Sequence, residues 1–350
     1  MGGPVPSGFD PVSFTAVSAD EFWLLGDAPC TNAVCTSIVR TTNGGTSFVG
    51  LPAPAAPLDV GSSSSGRIDT LRFADPLDGY AYDTHPGGAF WDTHDGGHQW
   101  SEPDFLAGRE LLAFGTGAGY AFALVGSCQQ DSCSSMALER SPVSSDSWAP
   151  LNVPVPATAD PVLTMSVHGP NLWISVTTSQ SSPNQLLLAG TDAGATFATY
   201  ASPCYSGLGG VLEAASSQAV WAVCPTGMLA GLWLTDDGGA HWQQLSSAPQ
   251  LPNSAMVAPG SASSAIVAPA PQGGLLATTD AGTNWQTVSA GSAGYSWSWA
   301  GFTDASTGSA LEVEGQPPAG WPWPNGPAPE QLWRTADGGL TWSGPVHIAG

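Results

Sequence analysis

Apolar positions in this chain alternate with small or polar ones over runs of four to six residues, and Gly, Asp, Asn, Ser and Pro break the runs. Residues 12–16, 22–25, 37–40 and a stretch starting at Phe48 form one succession of four such runs. Residues 68–73, 79–82, 89–92 and a stretch starting at Trp100 form the next. Period-two alternation bounded by turn formers is the pattern of a half-buried β-strand. The chain therefore predicts groups of four short strands, here named A to D from first to last. The B strands carry a recurring aromatic at Trp23, Tyr80, Tyr120, Trp173 and Trp221. A second bulky position ends the C strands at Val39, Trp91, Leu188, Trp233, Leu276 and Trp333. Both sets are expected to pack one group against the next.

Between C and D the same eight residues return. Thr335-Ala-Asp337-Gly-Gly339-Leu-Thr-Trp342 has counterparts starting at Thr93, Thr235 and Thr278, centred on Asp95, Asp237 and Asp280. Looser copies are centred on Asn43 and Asp192, and a degenerate one runs from Ser141 to Trp148. The closing aromatics stand at 48, 100, 148, 197, 242, 285 and 342, with gaps of 52, 48, 49, 45, 43 and 57. Repetition at about 40–50 residues is the mark of a propeller or solenoid. Glycine accepts the positive φ of a tight turn, and an Asp side chain accepts the backbone N–H groups that such a turn strands.

The pattern Ser/Thr-x-Asp-x-Gly-x-x-Trp/Phe resembles the Asp box, or BNR repeat, of sialidases, sortilin-type receptors and photosystem II stability/assembly factor-like proteins. Four copies match in full, two carry one substitution, and together they span nearly the whole chain. The resemblance implies an all-β, seven-bladed β-propeller with four-stranded antiparallel blades and a box in each C–D turn. One domain over 1–350 is expected, with blades at about 8–52, 66–104, 109–153, 160–201, 208–246, 253–289 and 296–348. Segment 73–82, running into a box, is most similar to the assembly-factor branch, which implies a binding or scaffold role. Asp boxes occur in enzymes and binding proteins alike, so the fold does not decide function.

Composition narrows the field. The 350 residues carry six Arg, no Lys and 28 Asp+Glu, a net charge of −22. Phosphate recognition needs basic patches, so nucleic acid and anionic lipid are excluded as partners. The assembly-factor branch has an Arg-rich patch on its functional face, which six Arg cannot supply here. No apolar run approaches the roughly 20 residues of a membrane span. Residues 1–6 show no basic segment and no apolar core of a signal peptide, so the chain is expected to be a mature or truncated form.

Its six cysteines form close pairs on the propeller that the repeats imply. Cys30 and Cys35 flank the B–C hairpin of blade 1, and Cys128 and Cys133 that of blade 3. Cys204 and Cys224 lie on neighbouring segments of blade 5. Six cysteines allow 15 pairings; the fold favours 30–35, 128–133 and 204–224. Local disulfides imply an oxidising, extracytoplasmic setting. Reduced thiols or a metal site are the alternative, and no His stands near these pairs.

In an up-and-down blade the A–B and C–D turns share one rim and the B–C and D–A connections share the other. The boxes crowd the lower rim, so function is expected at the upper face and the channel. There the sequence is irregular. Tyr295-Ser-Trp297-Ser-Trp299 alternates, placing three rings on one side, and Trp321-Pro-Trp323-Pro lies in a long B–C loop. Trp297, Trp299, Trp321 and Trp323, with Arg67 and Arg109, are the candidate binding residues for a protein or glycan partner. The alternative is a carbohydrate-active enzyme, sialidase-like or otherwise, or a lectin-like binder. Glu312 and Glu314, at i, i+2 on one strand face, are its candidate carboxylate pair. A sialidase needs three Arg on its substrate; Arg40, Arg140 and Arg334 sit by the boxes, leaving Arg67, Arg72 and Arg109. The acidic turns at Asp92 and Asp236 look faintly like calcium loops, but turn chemistry accounts for them. No cofactor or metal is expected.

Overall fold

The computed structural model describes residues 2–31, 33–58, 65–129, 132–153, 155–156, 158–159, 162–177, 185–204, 209–269, 273–289, 291–314, 330–346 and 348. It shows seven antiparallel sheets arranged as a seven-bladed propeller. Blade 1 is Asp10–Ala16, Phe22–Cys30, Ala33–Thr41 and Val49–Leu51, paired in that order. Blade 7 is Tyr295–Phe302, Gly308–Glu314, Glu330–Thr335 and Ser343–Val346. The outer strands of these two blades pair within their own sheets, so the ring closes without strand exchange. One turn at Asp192–Gly194 is the only helical segment among the described residues. No described helix is long and apolar enough to cross a membrane.

Two departures from four equal strands have local causes. In blade 2 the strands are Thr70–Phe73, Gly79–Tyr82 and Phe90–Thr93, and the fourth is one bridge between Asp92 and Ser101. Pro103 follows two residues later and has no N–H to extend that ladder. In blades 3 and 5 the connection to the next blade adds a short strand, Thr158–Ala159 and Leu251–Pro252, beside the upper end of the third strand.

The repeated turn forms as its residues require. In five copies the Thr hydroxyl donates to the Asp or Asn side chain at 2.8–2.9 Å: Thr41–Asn43, Thr93–Asp95, Thr235–Asp237, Thr278–Asp280 and Thr335–Asp337. The same hydroxyl accepts the N–H of the second glycine, as Gly239 donates to Thr235 Oγ1 at 3.0 Å. The carboxylate then accepts an N–H across the turn, His241 to Asp237 at 2.9 Å. That bonding, chiefly from His241, holds the Asp237 carboxyl down at about 2. Gly239 has φ 105°, and a Cβ there would lie 2.7 Å from Leu187 Cδ2 of the previous blade. The copy at Asp192 differs, because Gly190 replaces the hydroxyl residue and the Thr191 hydroxyl pairs with Thr196 instead.

Period-two alternation divides the core among the seams. Trp23 and Leu25 pack with Leu71 and Phe73 of blade 2, while Phe22 and Leu24 point the other way onto Leu311 and Leu332 of blade 7. Each of the seven blade contacts holds one such apolar cluster. Tyr80 and Trp173 reach into the next blade's turn, donating to Val143 O at 3.3 Å and Gly238 O at 2.8 Å. Innermost strands are tied directly as well. Ser13 and Thr15 hydroxyls accept the N–H groups of Leu71 and Phe73, and Ser166 that of Ala214.

Cys30–Cys35, Cys128–Cys133 and Cys204–Cys224 are bonded, and no described cysteine is free. Such bonds persist in an oxidising, extracytoplasmic environment. Cys204–Cys224 closes the longest loop, 20 residues apart, inside the blade 4–5 cluster. Loop-closure entropy assigns it about 3 kcal/mol, against about 2 kcal/mol for each five-residue loop. Replacing Cys204 and Cys224 together by Ala is expected to lower urea stability by about that amount. A loss below about 1 kcal/mol would reject the cross-link as a main stabiliser of blade 5.

Candidate functional site

The aromatic segment before blade 7 does not present three rings to one side. The strand Tyr295–Phe302 bulges between Trp297 and Trp299, which shifts the register by one residue. A bulge breaks the period of two, so flanking residues exchange faces. Trp297, only 2% exposed, turns into the blade 6–7 cluster and meets Trp333 edge-on at 6.2 Å. Trp299 turns toward blade 1, its ring 5.1 Å from Phe14. Both rings are packing residues, which corrects their assignment to an exposed binding face. Trp321 and Trp323 lie outside the described residues.

The carboxylate pair is likewise taken apart. Glu312 is fully buried. One of its oxygens accepts the Ser292 N–H at 2.7 Å; the other accepts the Ser292 hydroxyl and Trp333 Nε1, each at 2.7 Å. A carboxylate held on both oxygens by its own blade cannot serve a sugar as acid or nucleophile without breaking those bonds. Glu314 stands opposite Tyr295 in the ladder, and its side chain lies outside the description.

Every one of the six arginines has an internal partner. Arg67 Nε donates to the buried Asp83 at 3.0 Å. Arg109, the other candidate binding arginine, donates to Glu139 at 2.5 Å and to the carbonyls of Leu106 and Phe105. Arg72 Nε donates to Thr116 of blade 3 at 3.1 Å. Arg40 pairs with Glu21. Arg140 donates to Ala193 O in the blade 4 turn at 2.5 Å, and Arg334 to Gly44 O in the blade 1 turn at 2.7 Å. Arg40, Arg140 and Arg334 all stand just before a repeated turn, at the lower rim, so they form no substrate clamp.

With the cations engaged, carboxylates set the character of the upper mouth over blades 1 to 3. Asp10 and Asp27 face each other across the first two strands of blade 1. Burial pushes the Asp27 carboxyl up. In blade 2, Asp83 accepts both the N–H and the ring Nδ1 of His85 at 2.7 Å, with Asp69 3.7 Å from the same ring nitrogen. Burial alone would raise Asp83, but the His85 and Arg67 hydrogen bonds outweigh it and lower its pKa. Glu110 begins the innermost strand of blade 3. Deeper in, Glu213 stands on the innermost strand of blade 5; it meets solvent, yet the surrounding strands crowd it. That crowding raises its carboxyl to about 7, with Arg72 pulling against it. Tyr82 is pushed up to about 12 by burial, again opposed by Arg72.

Apolar points stand on the same face. Val34, at the tip of the Cys30–Cys35 hairpin, is 67% exposed, and Met228 and Leu229, at the hairpin tip of blade 5, are 88% and 42% exposed. Sequence reading passed over Val34, Met228, Asp10, Asp27 and Glu213. None belongs to a motif, and only their arrival on one face gives them meaning; the short hairpins at Cys30–Cys35 and 225–229 were the available signal. Two clusters have the donors for a cation: Asp69, Asp83 and His85 above, and Asp92, His94 and Asp146 below. In the first, Arg67 and His85 already occupy both Asp83 oxygens.

No family model and no curated protein matches the sequence. Solved structures do match its shape. YCF48 bound to a D1 peptide aligns with 92% of this chain and 97% of its own, at 16% identity and TM-score 0.58. A puromycin-hydrolysing peptidase of Mycobacterium tuberculosis aligns with 97% of this chain and 57% of its own, at 12% identity and TM-score 0.53. A GH74 xyloglucanase of Xanthomonas campestris aligns with 95% of this chain and 72% of its own, at 14% identity and TM-score 0.36. At these identities the likeness is one of fold.

Proposed function

We propose that the chain is a non-catalytic, extracytoplasmic scaffold whose upper face holds a cationic, partly apolar segment of another protein. The observation that carries this reading is the pairing of all six arginines inside the propeller, in a chain of net charge −22. The acidic excess of the chain then meets an approaching partner over blades 1 to 3, and complementary charge steers and selects it. Val34 on blade 1 and Met228 and Leu229 on blade 5 offer apolar contacts on the same face, and Trp321 and Trp323 are proposed as further contacts of the partner. The YCF48 complex is of a propeller with a peptide, and the fold shared with it makes a peptide a reasonable occupant. Secretion or a periplasmic or cell-surface location fits three disulfides in a chain built from Asp-box-like turns.

The test uses the whole chain on parallel arrays of peptides and glycans. Basic peptides carrying apolar side chains are expected to bind. Raising NaCl from 50 to 500 mM should weaken binding at least about tenfold, because exposed charges are screened within a few ångströms at high salt. Met228→Asp and the pair Trp321→Ala, Trp323→Ala should each weaken it with little change in melting temperature. Salt-independent binding of neutral oligosaccharides, or release of reducing ends from a glycan, would replace this reading with the carbohydrate-active one.

A further inference from the structure

The lower rim between blades 2 and 3 carries a cluster that the binding reading does not use. Asp92 is the last residue but one of the third strand of blade 2 and is fully buried. Its Oδ1 accepts the Ser101 hydroxyl at 2.5 Å, while its Oδ2 is buried with no hydrogen-bond partner. A buried carboxylate oxygen left bare costs its full desolvation, so this atom calls for a proton or a cation. A carboxylate oxygen of Asp92, a ring nitrogen of His94 and a carboxylate oxygen of Asp146 lie within 4.8 Å of one another.

The histidine is oriented as a ligand would be. Its Nδ1 lies 2.6 Å from Asp78 Oδ1, and its Nε2 lies 3.6 Å from Asp146 Oδ1. A carboxylate on one ring nitrogen fixes the tautomer and leaves the other nitrogen's lone pair for a metal. Three carboxylates, those of Asp78, Asp92 and Asp146, thus converge on one imidazole.

The place is also where the repeat is weakest. Blade 2 has only the Asp92–Ser101 bridge for an outer strand. In blade 3 the C–D turn has lost its box; the Ser141 hydroxyl donates to Ser145 O, and Asp146 reaches back to blade 2 instead.

We propose that Asp92, His94 and Asp146 bind one divalent cation of the zinc class, which clips blade 2 to blade 3. One imidazole nitrogen and two carboxylate oxygens form a donor set suited to zinc, whereas calcium takes six to eight oxygens. Asp78 acts through His94 and is a positioning residue.

The test takes the full-length protein, stripped with EDTA, and titrates it with Zn²⁺, Mn²⁺ and Ca²⁺ by calorimetry beside thermal melts. One equivalent of Zn²⁺ is expected to bind and raise the melting temperature. His94→Gln and Asp146→Asn, both at exposed positions that the fold tolerates, should each weaken binding at least tenfold. His241→Gln, at an exposed His–Asp pair elsewhere on the rim, should leave it unchanged. Asp92→Asn should abolish binding. Three results would overturn the proposal. One is no stoichiometric zinc binding, together with an Asp92→Asn protein that melts higher than wild type, as a proton shared between Asp92 and Asp146 demands. Another is zinc binding that survives Asp92→Asn, and the third is calcium binding that survives His94→Gln.

Discussion

Trp23→Ala is expected to destabilise the protein by about 3–5 kcal/mol, the largest single loss anticipated for any core position. Trp23 is fully buried on the second strand of blade 1, and its ring lies flat on Phe73 of blade 2, 3.9 Å between centroids at 5°. Arg40 covers the other side at 4.9 Å. Removing the indole opens a cavity in the first seam that neither rigid sheet can collapse to fill, which is why the cost exceeds simple transfer of the side chain. Trp23→Phe keeps a ring on Phe73 and removes an indole N–H that has no hydrogen-bond partner, so it should cost distinctly less. Urea denaturation of both variants makes the comparison. A Trp23→Ala protein within about 1 kcal/mol of wild type would show that the seam is not what stabilises the ring.

Arg334→Ala should be the most damaging arginine substitution, at about 2–4 kcal/mol, since hydrogen bonds to a charged group contribute about 1.5–3 kcal/mol each. Arg334 leaves blade 7 and donates to Gly44 O at 2.7 Å and to Ala19 O, with its guanidinium 5.2 Å over the Phe22 ring. It joins positions 290 and 315 residues apart in sequence. Blade 7 meets blade 1 without a covalent connection, so a loss there separates the two ends of the ring. Arg140 does the same for blades 3 and 4 through Ala193 O, but the chain itself continues across that seam. Arg140→Ala is therefore expected to cost less, and Arg334→Lys to recover little, because a single ammonium nitrogen lacks the two spaced nitrogens with which the guanidinium reaches both carbonyls. Limited proteolysis would show the difference as earlier cleavage in the terminal blades of Arg334→Ala. Equal sensitivity of the two Ala variants would refute a special closing role for Arg334.

Sequence determined the architecture because the repeat is local. Thr335, Asp337 and Gly339 satisfy one another within five residues, and the same is true wherever the triplet recurs, so eight residues suffice to recognise the turn. Alternation in Phe22-Trp23-Leu24-Leu25 likewise announced that two faces of one strand would each be buried. The cysteines paired across short loops for the same reason of proximity.

Tertiary structure alone decided everything that joins residues across a seam or a face. The bulge between Trp297 and Trp299 is invisible in an alternating Trp-Ser-Trp, because one added residue depends on how blade 7 fits between two neighbours, not on local propensity. Glu312 read as half of a catalytic pair, yet it is bound to Ser292, 20 residues earlier, and to Trp333, 21 later. Arg109 read as a candidate binding residue, and the sequence did not show that Glu139, on the third strand of the same blade, holds it. The acidic mouth, the Arg334 closure and the Asp92–His94–Asp146 cluster each bring together groups from different blades. Electrostatic energy depends on distance and on exclusion of water, and a linear sequence states neither.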